Sequence, residues 1–317
     1  MSVISKEHFT LDKIINYLIL LQVVSIGFSI ALSSISLGIW VVLWAVKIYK
    51  DKDFSVGTVI FKKYKYFFLS FAAYIIVDML SRIFAYFPEE ALIGMKRYLL
   101  IICFFSNPTI IKSKSEILKN LVIITSVFSI LSCIEIIKFA ITLSDNLRTA
   151  SFSEIRIDYF SYPITAGEIK MLLLMAIFPF ILSKNKYRIK KVYLIALIIP
   201  ILASLFLTQS RNVYLGVIIS LIIYGIFVNW RFLVSYILFM CLVWIIIPNP
   251  AKERVRSIFD LNHPSNKSRI VMWDVGIKVY KDNPLLGVGD NEITKVYTLY
   301  KIPESHGEGS HFHSNPI

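Results

Sequence analysis

Apolar runs separated by short charged stretches fill the chain from about residue 14 to residue 248. The runs at 198–207, 213–228 and 232–248 are among the clearest. A backbone immersed in hydrocarbon satisfies its own N–H and C=O groups only as a helix or a closed barrel. The pattern predicts an all-α, polytopic transmembrane helix bundle of about nine spans. They are expected near 14–30, 32–49, 66–87, 95–111, 119–143, 163–183, 192–208, 212–229 and 232–248. Each has about 17–25 residues, long enough at roughly 1.5 Å per residue to cross a bilayer. The fourth is the weakest, and the hairpin at 32–34 is tight.

The tail, 249–317, is different in kind. It is charged, carries Trp and Tyr at helical spacing in 268–280, and breaks at Asn283-Pro284 and at Gly287-Val288-Gly289. Two short helices followed by a loop are expected there. A segment this long is more than a connector, and such segments are usually functional. It holds four of the five histidines: His263, His306, His311 and His313.

Composition makes lipid the main solvent. The chain is 56% hydrophobic and 17% charged, with a mean hydropathy of +0.66, against about 45–50% apolar and about 25% charged residues in soluble domains. A net charge of +13 would point to nucleic acid in a soluble protein, but most Lys and Arg stand in the connectors and report topology, so no nucleic-acid partner is expected. Lys47, Lys50, Lys52, Lys62, Lys63 and Lys65, then Lys112, Lys114 and Lys119, then Lys184, Lys186, Arg188, Lys190 and Lys191, then Arg231 make every second loop basic. The positive-inside rule puts the N-terminus in the cytoplasm and everything after Pro248 outside. Residues 1–13 are polar and lead into a full-length run without a small-residue cleavage pattern, so the first span is expected to stay in place. Cys103, Cys133 and Cys241 lie inside apolar runs with no metal spacing and read as small core hydrophobes.

Three constellations fall on the outer side. Leu207-Thr208-Gln209-Ser210-Arg211-Asn212 joins the seventh and eighth spans. Thr208 or Ser210 can cap the eighth, and its free N–H groups beside Arg211 make a site for a phosphate. An arginine snorkelling to headgroups fits the same residues. In His311-Phe312-His313-Ser314-Asn315, a neutral imidazole is suited to take a proton from a sugar hydroxyl, with an Asn amide nearby to orient it. The competing readings are a zinc site completed by His306, Glu304 or Glu308, which no HExxH or paired CxxC supports, and a plain solvated loop. The third is Lys252, Arg254, Arg256, Lys267 and Arg269. Arg269, at the opening of the expected 268–280 helix, can grip a phosphate by a bidentate fork, while a basic face beside anionic lipid explains the same charges.

Ionisable residues inside spans need partners. Asp78 and Arg82 are four apart and Glu135 and Lys138 three apart, so each pair is expected to be neutralised within its own helix. Glu168 and Lys170, near the outer end of the sixth span, are placed to pair with Arg211 or to line a groove for a lipid diphosphate.

Taken in order, Leu207-Thr208-Gln209-Ser210-Arg211, Arg256, Ser268-Arg269-Ile270-Val271-Met272-Trp273-Asp274-Val275-Gly276, Asn283-Pro284-Leu285-Leu286-Gly287-Val288-Gly289 and His311-Phe312-His313-Ser314-Asn315 resemble the O-antigen ligase family. Its superfamily includes O-antigen polymerases and O-linked oligosaccharyltransferases. The likeness spans roughly 205–315. It divides the chain into N-terminal membrane spans (1–190), spans of the ligase-like core (191–248) and a periplasmic loop with the catalytic motif (249–317).

What the resemblance implies is a metal-independent, inverting glycosyltransferase of the bacterial inner membrane, needing no cofactor. The donor is a glycan on undecaprenyl diphosphate, and the acceptor is a sugar hydroxyl, in the ligases that of lipid A core; membrane lipids are the other partners. His313 corresponds to the family's proposed base, with His311 the alternative because Ser314 intervenes before Asn315. Arg211 and Arg269, and less directly Arg256, correspond to arginines thought to hold the diphosphate; Asn315 and Glu168 are expected to support them. The family continues into further spans, so the chain is expected to be truncated at its C-terminus. A polysaccharide polymerase of the same superfamily fits the same residues. A transporter or flippase, the rival from another class, calls for charged residues converging at mid-membrane.

Overall fold

The computed structural model describes residues 2–51, 62, 64–93, 98–111, 113–146, 157, 160, 163–182, 190–246, 249–257, 260–289 and 293–300. Among the described residues all regular structure is helical: α1 (Ser2–Ser25), α2 (Ile30–Asp51), α3 (Lys65–Ile83), α4 (Pro88–Ile93), α5 (Leu99–Ile110), α6 (Lys114–Asn146), α7 (Pro163–Leu182), α8 (Lys191–Leu207), α9 (Arg211–Val228), α10 (Trp230–Ile246), α11 (Asn249–Arg256), α12 (Pro264–Asp282) and α13 (Ile293–Leu299). Helices α2, α3, α6, α7 and α9 are long and apolar enough to cross a membrane, and α8 and α10 are shorter apolar helices. The protein is a polytopic helical bundle, as the apolar runs predict.

Three details differ from the sequence reading. Helix α1 starts at Ser2, so the polar N-terminal stretch is helical too. The weak fourth run yields α5, 12 residues long and only about 18 Å at 1.5 Å per residue. Cys133 and Cys241 lie on exposed faces, with Cys103 half-buried; where lipid is the solvent, a small apolar side chain sits as well outside as in.

The chain folds as two units. The first, Met1–Lys50 with Ile110–Arg256, contains α1, α2 and α6–α11. Its apolar core is Phe128 of α6, Leu173, Leu174 and Ile177 of α7, Leu194, Ile198, Ile201 and Leu205 of α8, and Val213 of α9. Helix α6 buries Asn120, Thr125, Ser129, Ser132 and Glu135 alongside Leu118, Phe128 and Phe139, while Ile130, Ile134, Ile137 and Ile141 are exposed. Polar groups inside a membrane bundle bond across helices because lipid offers them nothing. Asn120 donates to Asn16 of α1 at 2.7 Å, and Trp40 of α2 donates to Gln22 of α1 at 2.7 Å. Ser113 and Glu116 close a reciprocal capping box at the start of α6, at 3.1 and 3.2 Å.

Glycines bring α7 against α9. A Cβ on Gly167 would stand 2.7 Å from Val213, and one on Gly216 would stand 2.5 Å from the Met171 sulfur. Small residues of this kind let helix backbones approach in lipid, where packing replaces the hydrophobic effect as the driving force.

The second unit, Asp51–Thr109 with Ser257–Ile317, contains α3–α5, α12 and α13. Its core is Met272, Val275 and Val279 of α12 with Val288, Val296 and Tyr297, flanked by Phe87 and Tyr300. Asp78 and Arg82 pair within α3 at 2.7 Å, as their spacing predicts. Arg82 also donates to the Ala91 carbonyl at 2.8 Å, and the Tyr98 hydroxyl donates to Asp78. The Asn283–Gly289 segment turns against the end of α3: Gly287 and Gly289 have φ of 66° and 90°, and a Cβ on Gly289 would lie 2.5 Å from that of Ala85.

Helix α12 is longer than the expected 268–280. Pro264, whose fixed φ suits a first helical position, opens it behind a turn in which the Asn262 amide bonds the Asp260 carboxylate at 2.9 Å. The stretch expected as loop also contains α13, because burying Val296 and Tyr297 draws it into a helical turn.

Candidate functional site

The residues between α8 and α9 form a tight, buried turn. Thr208, Gln209 and Ser210 are all less than a tenth exposed. The Thr208 amide continues α8 to the Ser204 carbonyl at 3.1 Å, and its hydroxyl donates to Leu205 at 2.7 Å. Gln209 adopts φ 51°, a left-handed conformation costing an L residue about 1–2 kcal/mol. Such a cost persists only where the surroundings over-determine the conformation, and functional sites are where it collects. Ser210 is the N-cap of α9, in extended conformation, and its side chain makes no capping hydrogen bond. The first-turn amides of α9 are thus not taken up by their N-cap side chain, and Arg211 is the first helical residue, half-buried. A helix N-terminus with a guanidinium on it is an anion-binding arrangement.

Directly below the turn lies a cavity of about 550 Å³ between α7, α8, α9 and α10, with Val255 of α11 also in its wall. The lining is aliphatic and aromatic, including Phe178, Leu202, Val217, Ile218, Phe232 and Phe239. Among its few polar members are Gln209 and Tyr214, which flank Arg211 in the sequence; the Tyr214 hydroxyl donates to the Phe206 carbonyl and its ring stacks on Phe206 at 5.7 Å. The apolar chamber thus reaches Gln209, the residue before the N-cap of α9, and Tyr214 in its first turns.

One turn from the Thr208–Arg211 segment sits a buried polar cluster. Lys170 of α7 donates to the Glu135 carboxylate of α6 at 2.5 Å and to the Ser204 hydroxyl of α8 at 2.7 Å. Ser204 in turn donates to the same Glu135 oxygen at 2.5 Å. All three are at most 3% exposed. This corrects two expectations: the cation that neutralises Glu135 from across the bundle is Lys170, and Lys170 faces Glu135 and Ser204 instead of serving Arg211. Lys138 lies over the Phe160 ring at 5.6 Å. Glu168, two residues before Lys170 and so on a different face of α7, is exposed.

The other site residues are placed as follows. Arg256 ends α11 in the first unit, exposed, its guanidinium 6.0 Å from the Trp244 ring centre. Arg269 is half-buried in the second turn of α12 in the second unit, not at the opening, because that helix begins at Pro264. His263 stands before α12, its carbonyl accepting from Asn266 and Lys267. His311, His313 and Asn315, with Glu304, His306 and Glu308, lie outside the described residues. In the second unit the Tyr300 hydroxyl is pushed up to about 12 by its 3.1 Å hydrogen bond with Tyr86 and by burial.

Residues 195–317 match the O-antigen ligase family model. This stretch is similar to the O-antigen ligase family. No curated protein and no solved structure matches the chain. The matched stretch takes in the Thr208–Arg211 turn, Arg256, Arg269 and the histidine motif, and the apolar helices make the chain a multi-pass membrane protein. The match begins within α8, so Ser204 falls inside it while Glu135 and Lys170 precede it.

Proposed function

We propose that the protein is an extracytoplasmic-face, inverting glycosyltransferase of the bacterial inner membrane. It moves a glycan from undecaprenyl diphosphate to a sugar hydroxyl, as an O-antigen ligase does with lipid A core. The N-terminus is cytoplasmic, 1–190 and 191–248 are the earlier and the ligase-core spans, and 249–317 is the outer catalytic segment. The observation that carries the reading is the apolar cavity that reaches Gln209 and Tyr214, on either side of Ser210 and Arg211 in the sequence. A polyprenyl chain suits the chamber and a diphosphate suits the helix terminus with its arginine.

In the step itself the acceptor oxygen bonds to the anomeric carbon while the bond from that carbon to the diphosphate oxygen breaks with its electron pair. The hydroxyl proton passes to the imidazole of His313, or of His311. The leaving diphosphate gains charge, and Arg211, Arg269 and Arg256 stabilise it without a metal; Asn315 and Glu168 support the arrangement.

The test is transfer by purified protein from a lipid-linked oligosaccharide, with and without lipid A core. Transfer that needs core marks a ligase; elongation without it marks a polymerase. Losing a general base lowers the rate by about 10²–10⁴, so His313→Ala or His311→Ala should do so with the protein still in the membrane. If neither variant slows transfer, the assigned base is wrong; if Arg211→Ala leaves donor use unchanged, so is the diphosphate site.

A further inference from the structure

We infer that Lys170, Glu135 and Ser204 form a positioning device that fixes the turn carrying Arg211, and so sets how tightly the donor diphosphate is held. This rests on the diphosphate reading of Arg211 given above.

The cluster is a poor choice for stability alone. Taking an ammonium and a carboxylate out of solvent carries a desolvation penalty that their attraction often only repays, and apolar residues of the same volume commonly do as well. What it supplies is geometry. The ammonium and the hydroxyl converge on one carboxylate oxygen, at 2.5 Å each, and the ammonium also reaches the hydroxyl at 2.7 Å. A slide of α8 along α6 or α7 breaks at least two of these three bonds together. The surrounding contacts, among Leu173, Leu194, Ile198, Ile201 and Leu205, are between aliphatic side chains that have no comparable directionality.

The connection to Arg211 is short and covalent at its core. Ser204 accepts the Thr208 amide at 3.1 Å, the Thr208 hydroxyl lies 3.4 Å from the Ser210 amide, and Ser210 is the N-cap from which Arg211 starts α9. Helix α7 meets the turn a second time. Gly167, one turn before Lys170, packs so closely that a Cβ there would stand 3.3 Å from the Thr208 hydroxyl oxygen and 2.7 Å from Val213. The turn is thus gripped from Ser204 below and from Gly167 at its side, which is what holding Gln209 at φ 51° requires. Two members of the cluster come from helices ahead of the matched stretch, so the earlier part of the chain contributes to the site through them.

The experiment compares wild type, Ser204→Ala, Ser204→Thr, Glu135→Gln/Lys170→Met and Arg211→Ala as purified protein. It reads binding of geranylgeranyl diphosphate, and donor and acceptor KM, per mole of folded protein. Ser204→Ala leaves the ion pair whole and cuts only its tie to α8. It should weaken diphosphate binding and raise donor KM by about tenfold, equivalent to ~1.4 kcal/mol, with acceptor KM unchanged. Ser204→Thr, which keeps a hydroxyl, should restore binding to within about twofold of wild type, less than ~0.5 kcal/mol. The neutral double variant should match or exceed the loss in Ser204→Ala. Normal binding in both Ser204→Ala and the double variant overturns the inference while the transferase reading stands. Failure of both to fold assigns the cluster to folding alone and overturns it too. If wild type does not bind the probe, or Arg211→Ala binds it equally well, the diphosphate reading falls and this inference with it.

Discussion

Gly289 is the position where one added methyl group should have the largest calculable effect. It sits at φ 90°, and a Cβ there would lie 2.5 Å from the Ala85 Cβ and 3.6 Å from the Ala85 Cα. Carbon atoms rest about 3.5–4.0 Å apart, so about 1 Å must be found. The Ala91 Cβ, 3.5 Å away, closes one line of retreat, and neither alanine has a side chain that can turn aside. Gly289→Ala therefore carries a backbone cost of about 1–2 kcal/mol and an overpacking cost of about 1–3 kcal/mol. Together these make about 2–5 kcal/mol, which weakens the docking of the 283–289 segment by a factor between roughly 30 and several thousand. Hydrogen exchange read by mass spectrometry over Val275, Val279, Val296 and Tyr297, core residues of the same unit, should accelerate by that factor. Adding Ala85→Gly removes the clash but not the backbone cost, so it should recover only the overpacking part. Wild-type exchange in Gly289→Ala, or no recovery in the double variant, would show that the two segments do not meet in this way.

Three further outcomes are expected. Arg82→Met leaves the Asp78 carboxylate without its cation and the Ala91 carbonyl without its donor, and thermal melts should show a loss of about 3–5 kcal/mol, smaller when Asp78→Asn is added; an equal or larger loss in the double variant would argue against the pair. Val217→Trp intrudes on the 550 Å³ cavity and should raise donor KM about tenfold, ~1.4 kcal/mol, with acceptor KM unmoved; an unchanged donor KM would detach the cavity from the donor. Because the folded state raises the Tyr300 pKa from 10.0 to about 12, its neutral form is the favoured one. That contribution to stability is whole below pH 10 and is lost as pH rises toward 12. Melts at pH 9 and 11.5 should show a smaller alkaline loss in Tyr86→Phe, and an identical loss would exclude this pair as its source.

What the sequence made legible is what lipid dictates directly. Runs such as 213–228 announce α9 because nearly every side chain must suit hydrocarbon, and Asp78 with Arg82 could be paired because one helical turn brings them together whatever else packs nearby. The turn at Thr208–Arg211 was legible for the same reason, as polar residues between two apolar runs. The partner of Glu135 was not. Lys170 and Ser204 are 35 and 69 residues away, and same-helix spacing offered Lys138 instead. Choosing between Glu168 and Lys170 required knowing which face of α7 turns inward, which depends on the neighbours and not on α7 itself. The cavity was hidden likewise, since five helices contribute to it and none carries a recognisable signature alone.

The arrangement of α6 bears on engineering as much as on function. Its buried side holds Asn120, Thr125, Ser129, Ser132 and Glu135, whereas Ile130, Ile134, Ile137 and Ile141 look outward. Beside the polar residues on the buried side stand Leu118, Phe128 and Phe139, so the interior of this helix is of mixed polarity while its outward face is aliphatic. Recoding only the outward positions with Glu, Lys and Gln would alter the medium the helix requires while leaving its internal bonds untouched, a route toward a detergent-free analogue.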